Sequence, residues 1–422
     1  MYFIDLFAGA GGLSEGFMRQ GYKPIAHIEM DRYAALTLKT RAAYHYLKNN
    51  DRLAIYHDYL LKKMSREDLY EQIPKSEADA VINLEISDET IDYLFREIDH
   101  RLVSMTGQKS TVDVLIGGPP CQAYSLVGRA RDPYGKEKDP RNYLYKQYVK
   151  FLDRYKPSIF VFENVPGILN AAKGKLFEDV QSIMRDAGYN ITAKTLNAAD
   201  FGVLQQRKRV ILIGWKEELD YEYPEFKKVN HNYIVRDLLE DVPSLQPGTE
   251  KNFFYTKEPS NYLSKFDIRG ENDILTQHMA RIHNENDRQI YETAIAMWNN
   301  HKQRLKYTDL PEINRTHKNL KSFLDRFKVV SEDLPFSHTV VAHIAKDGHY
   351  YIHPDISQRR SLSVREAARL QSFPDNFFFE GPRTSVFTQI GNAVPPLMAE
   401  QIAKHVGFML TDKVEKQLSL NL

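Results

Sequence analysis

The chain has 422 residues, of which 42% are hydrophobic, and 57 Lys/Arg balance 56 Asp/Glu to a formal net charge of +1. That balance excludes a polycation acting through a global field, so any binding of nucleic acid must come from local patches. One cysteine, Cys121, excludes an intramolecular disulfide framework and the usual cysteine-rich zinc sites, and it fits a reducing compartment.

The N-terminus "MYFIDLFAGAGG" lacks a basic segment ahead of an apolar one, and so does not read as a secretory signal. No run approaches the ~18–20 apolar residues of a membrane span. A cytosolic protein without a membrane partner is expected. Short apolar runs then alternate with helical periodicity. "YFIDLF" (2–7), "KPIAHIE" (23–29), "VDVLIG" (112–117), "SIFVFE" (158–163) and "VILIGW" (210–215) predict the strands of a parallel α/β sheet. Helices are predicted over 13–20, 31–47, 141–155 and 175–187. Another, over 88–104, puts Ile91, Leu94, Phe95, Ile98 and Leu102 on one face. The segment 60–111 has no functional assignment. From about 216 the alternation fades and Tyr, Asn, His and Lys become common. It returns in "SLSVREAARLQSFPD" (361–375) and in the amphipathic stretch 397–413. The expected division is one domain from 1–215 plus 351–422, and a second from 216–350.

Ligands of an open parallel sheet bind beyond the carboxyl ends of its strands. There the chain places "AGAGG" after the first run, Glu29 after the second, "GPPCQ" after the third and "ENV" after the fourth. A glycine-rich turn lets backbone approach a ligand, and an acid ending the next strand can bind ribose hydroxyls. The dinucleotide fingerprint fails, because Ser14 stands where its third Gly or Ala should be. A nucleoside cofactor without pyrophosphate, such as S-adenosylmethionine, fits better, with a structural glycine turn as the plain alternative.

Cys121 follows two prolines that stiffen the corner and present the thiol at the sheet edge. A free thiol is only a few per cent thiolate at neutral pH. The stretch 127–150, with seven Lys/Arg against three Asp/Glu, is either the cationic neighbourhood that would lower that cost or a solvated loop. Glu163 ends an apolar strand, where burial raises a carboxyl's pKa and lets it stay protonated; an ion-paired strand end is the alternative. Arg207 and Arg209 share one side of an extended segment and could hold a base oxygen and a carboxylate, or be surface arginines.

Taken in order, "DLFAGAGGLSEGF", "GGPPCQAYS", "ENVPG", "QQRKRV", "RSLSVREAARLQSFPD" and "QIGNAVPP" closely resemble the DNA cytosine-C5 methyltransferase family. The resemblance covers residues 1–60, 112–215 and 355–405. It implies a Rossmann-like domain that binds S-adenosylmethionine, with a smaller, mixed target-recognition domain over 216–350. Phe7, Gly9 and Gly11 match the cofactor loop, Glu29 the ribose ligand, and Met30 its neighbour beside the adenine. Asp58 matches the acidic adenine contact. Pro119 and Pro120 match the rigid corner and Cys121 the nucleophile. Glu163 matches the acid on the base ring, with Arg209, and less directly Arg207, orienting it. Asn392 matches the last motif beside the cofactor.

The implied reaction is methylation of carbon 5 of cytosine within a specific double-stranded DNA sequence, through a covalent Cys121 adduct on a flipped-out base. The stretch 301–328, with eight Lys/Arg against three Asp/Glu, suits phosphate contacts. The family often works beside an independent restriction endonuclease; a monomer held at the nucleoid by its DNA is expected. An RNA cytosine methyltransferase, an inactive DNA-binding regulator and, least, a nicotinamide oxidoreductase remain as rivals.

Overall fold

In the computed structural model, which describes residues 1–107, 112–120, 144–315 and 324–420, the apolar runs of the first half assemble into a seven-stranded sheet. The strands are β1 (Tyr2–Leu6), β2 (Lys23–Ile28), β3 (Val81–Ile82), β4 (Val114–Gly117), β5 (Ile159–Asn164), β6 (Tyr189–Asn197) and β7 (Lys208–Lys216). Their order is β3-β2-β1-β4-β5-β7-β6. Successive side chains alternate faces, and here both faces are apolar, as a sheet covered on both sides requires. Ile159 and Val161 of β5 join Ile211 and Ile213 of β7 on one side, while Phe160, Phe162, Val210 and Leu212 pack on the other.

Helices Ile91–Thr106, Leu144–Tyr155 and Lys175–Asp186 cover that second side with residues such as Leu94, Ile98, Phe151 and Met184. The first side is covered by Gly12–Arg19, Val364–Leu370, Arg383–Asn392 and the long C-terminal helix Pro396–Leu420. The C-terminal stretch thus returns to the strand that begins the chain.

One expectation about the sheet is corrected. "VILIGW" lies in β7, which runs antiparallel to both β5 and β6 rather than parallel. The link 198–207 is too short for the crossover that a parallel neighbour needs, so β6 and β7 pair as antiparallel partners. In consequence the N-terminal end of β7 lies at the edge where β1, β2, β4 and β5 end. The strands β3 and β6 were not predicted: β3 has two residues, and β6 is an edge strand of Asn, Thr and Lys without a continuous apolar run.

The hydrophobic core does not divide at residue 216. Tyr223, Val235, Leu238, Tyr262, Ile268, Val330 and Val340 share one cluster with Phe3 and Phe17. Buried charge ties the same segment down, with Arg369 bridging Asp241 and Asp375, and Arg269 reaching Asp241 at 2.5 Å. A smaller cluster lies apart, built on Ile290, Tyr291, Ile295, Tyr307, Phe327 and Ile352 around helix Glu285–His301.

Two buried histidines border that smaller cluster. Burial pushes His283 and His353 down to about 3; Arg281 and His349 add to the effect at His283, and Arg360 adds to it at His353. Glu366, 3.5 Å from His353, opposes it only in part, since Arg360 already holds that carboxylate at 2.7 and 2.8 Å. Both groups have folded values below the unfolded 6.5, so their contribution is intact above pH 6.5 and lost as pH falls towards 3. Each is expected to remove roughly 1 kcal/mol by pH 5.5. Thermal melts from pH 7.5 to 5.5 should fall less steeply in His353→Gln than in the wild type.

Candidate active site

Beyond the carboxyl ends of β1, β2, β4 and β5 lies a cavity of about 430 Å³, ordinary for a small-molecule site. β1 runs into its wall through Phe7, whose φ of 56° is the left-handed conformation seldom taken by a side chain larger than glycine. Gly9 donates its N–H to Glu29 Oε2 at 2.8 Å, and Glu29 Oε1 accepts from Asp31 N at 2.7 Å. The turn after β1 and the acid after β2 therefore form one unit. Burial pushes the Glu29 carboxyl up, and those two N–H groups oppose the shift. Met30 beside it is 62% exposed and lines the cavity. Gly12 touches the opposite wall: a Cβ there would stand 2.3 Å from the carbonyl oxygen of Val394. The corner carrying Asn392, itself a lining residue, is thereby pressed against the turn after β1.

At the other end Glu163 and Arg209 meet. Glu163 is the register partner of Ile211 in the antiparallel pair, which makes Arg209 its diagonal neighbour on the same face. Arg209 Nε lies 2.6 Å from Glu163 Oε1, a charge contact not aligned as a hydrogen bond. Burial pushes the Glu163 carboxyl up; Arg209, and less strongly Arg207, pull it back without cancelling the shift. Gly118 makes room for that carboxyl, since a Cβ there would stand 2.5 Å from Glu163 Oε2. Asn164 completes the corner by donating from Nδ2 to the Pro119 carbonyl at 3.1 Å. Pro119 and Pro120 line the cavity, and the chain reaches Cys121 at the next residue. Cys121 and the basic stretch to residue 143 lie outside the described residues.

Three assigned residues stand elsewhere. Asp58 is on helix Leu53–Leu60, half exposed and paired with Lys63 at 2.9 Å, away from the cavity lining. The lining beyond β3 comes instead from Leu84, Glu85 and Ile86, held by Asn83 Nδ2 bonds to the carbonyls of Glu29 and Met30. Gly11 caps helix Gly12–Arg19 with φ 84° and is not on the lining. Arg207 is fully buried and does not touch Glu163; it donates to backbone carbonyls of residues 340, 391 and 393.

Residue-by-residue reading also missed Asp5, on the cavity floor. Its Oδ2 lies 3.6 Å from His27 Nδ1, and neither buried atom finds a hydrogen-bond partner. Burial raises this carboxyl, with His27 and Ser14 opposing. Its place in "YFIDLF", acidic within an apolar strand, was the available signal.

A buried acid with one unpartnered oxygen at the floor, a second acid after β2 and an open glycine turn fit a cationic nucleoside amino acid. With the reversed strand β7 these features define a Rossmann-like methyltransferase domain. A model of the C-5 cytosine-specific DNA methylase family matches residues 1–69 and 88–407, and the chain belongs to that family. Its members take the methyl group from S-adenosylmethionine. The chain is 45% identical to "Type II methyltransferase M.Bpa9945I" of Bacillus paralicheniformis, over 96% of this chain and 98% of the relative. It is 30% identical to "Type II methyltransferase M1.HphI" of Haemophilus parahaemolyticus, over 97% and 88%. A solved structure of a prophage-encoded E. coli protein shares the fold with a TM-score of 0.63 at 22% identity, covering 97% of this chain and 99% of that one. Among the described residues no helix is long and apolar enough to cross a membrane.

Proposed function

We propose that the protein methylates carbon 5 of cytosine in one short double-stranded DNA sequence, through a transient bond from Cys121 to a base flipped out of the duplex. The observation that supports this best is the Glu163–Arg209 pair, set against the Gly118–Pro120 corner one residue before Cys121. Cytosine carbon 5 is a weak nucleophile. Addition of the Cys121 thiolate to carbon 6 makes the ring enamine-like, and the Glu163 carboxyl, which burial makes easier to protonate, supplies a proton or hydrogen bond at ring nitrogen 3 and offsets the charge that develops. Arg209 holds that carboxyl and faces the base oxygen. S-Adenosylmethionine, when bound, supplies an electrophilic methyl group. Carbon 5 takes the methyl, its proton leaves to a base or water, and the thiol is expelled. Extrusion of the base costs a few kcal/mol, which phosphate contacts must offset.

On the cofactor side, Asp5 takes the amino-acid ammonium, Glu29 the ribose hydroxyls, and Glu85, in place of Asp58, the adenine amino group. Glu85→Ala is expected to weaken S-adenosylhomocysteine binding roughly 5- to 10-fold by calorimetry, whereas Asp58→Ala stays within about twofold. Loss of affinity in Asp58→Ala alone would reverse the assignment.

The element around helix Glu285–His301, with the turn 338–345 that borders the catalytic core, reads the DNA sequence. The type II names of the relatives support a restriction–modification role; an independently acting endonuclease and a monomer working on nucleoid DNA complete the proposal. Expression in a methylation-free host followed by mapping of 5-methylcytosine tests this. One fully modified short motif is the expected result; unmodified DNA alongside modified transfer RNA would replace the reading with RNA methylation.

A further inference from the structure

Three fully buried polar side chains, Gln205, Arg207 and Gln371, form a hub that the chemistry above does not use. Arg207 donates to the carbonyls of Val340 at 2.5 Å, Gly391 at 2.9 Å and Ala393 at 2.8 Å. Gln205 Oε1 accepts from Val340 N at 2.8 Å, and its Nε2 donates to Leu370 O at 2.8 Å and Gln371 Oε1 at 3.0 Å. Gln371 Nε2 donates to Ile390 O at 2.7 Å. Both backbone groups of Val340 and three carbonyls of the 390–393 corner are therefore held by the same hub. Gly391 leaves no gap between them: a Cβ there would stand 2.2 Å from Ala342 N. Arg281 fastens the far end of the turn, donating to Ala345 O at 2.6 Å and Lys346 O at 2.8 Å.

The segments joined in this way serve different ends. Asn392, Ala393 and Val394 line the cofactor cavity, and Arg209, two residues beyond Arg207, holds Glu163. The turn 338–345, whose Val340 sits in the main core, is assigned above to the DNA alongside the element around helix Glu285–His301. Groups cross-linked in a buried interior cannot shift singly, because a buried donor or acceptor left unsatisfied is costly.

We infer that Arg207, with Gln205 and Gln371, is a positioning device that couples occupancy of the cofactor cavity to engagement of DNA by the 338–345 turn. The inference rests on the function proposed above for that turn. Coupling between two sites is reciprocal, so cofactor must tighten DNA binding by the factor by which DNA tightens cofactor binding.

The test is fluorescence anisotropy on a duplex carrying the sequence mapped for the wild type, with and without S-adenosylhomocysteine. The wild type is expected to bind the duplex about tenfold more tightly with the cofactor product present. Arg207→Lys keeps the charge but lacks the planar fork that serves three carbonyls, and its ratio should fall below about threefold. Gly391→Ala pushes the turn away from the corner while leaving all three hub side chains in place, and should do the same. Whichever variant melts within a few degrees of the wild type decides, and a ratio there equal to the wild type's overturns the inference. So does a wild-type ratio of one. A wild type that methylates no DNA sequence sinks the underlying reading instead, whatever the ratios.

Discussion

Replacing Cys121 with alanine is expected to reduce methyl transfer by on the order of 10⁴-fold or more, with DNA and cofactor affinity within a few-fold of the wild type. The size follows from the ring chemistry. Most nucleophile variants retain some catalysis from binding and positioning, but here the adduct is what makes carbon 5 a nucleophile at all. Positioning an unreactive carbon beside an electrophile gains little. Cys121→Ser should behave almost as badly, because a hydroxyl is ionised far less than a thiol at neutral pH. Radiolabelled methyl transfer with anisotropy on the same samples checks both halves. Transfer within tenfold of wild type in either variant would remove the covalent step.

Glu163→Gln carries the second large effect, an expected loss of roughly 10²- to 10³-fold in kcat. Glutamine keeps the volume against Gly118 and can still donate one hydrogen bond, but it cannot supply a proton at ring nitrogen 3. It also leaves Arg209 nearly buried without its counter-charge. Removing one partner of a buried pair costs about 3–5 kcal/mol, so a lower melting temperature should accompany the lost activity. The pH profile separates the two consequences. Burial moves the loss of the Glu163 proton to a higher pH than an ordinary carboxylate's, and wild-type kcat should fall as pH rises through that loss. That limb should vanish in Glu163→Gln. A limb that persists there would mean another group supplies the proton.

The parts of this site that were legible in the sequence are those fixed by strand ends. Glu29, Glu163 and Pro119 each close an apolar run, and once the runs pair side by side their ends must converge. Arg209 was recognisable by motif, but its diagonal contact with Glu163 depends on β7 running antiparallel, and alternation within one strand does not encode direction. The direct partners of Arg207 were hidden for a related reason. Its neighbours come from residues 340 and 391–393, and no local pattern in "QQRKRV" reports contacts that distant. Asp58 stood at a suitable spacing after β2, whereas the two-residue β3, too short to show an alternation, delivers Glu85 instead. The proposed boundary at 216 followed a change in composition, yet polar sequence there still supplies Tyr223, Val235 and Tyr262 to the main core. Composition reports how much apolar surface a segment has, not which core receives it.

The whole account turns on a sulfur–carbon bond between this chain and its substrate. A duplex with 5-fluorocytosine at the mapped position cannot lose the carbon-5 substituent as a proton, so the adduct should persist. With S-adenosylmethionine present, the wild type is predicted to give a denaturant-stable protein–DNA complex that Cys121→Ala does not form. A wild-type enzyme that methylates ordinary cytosine at that sequence yet never becomes attached to the fluorinated duplex would contradict it.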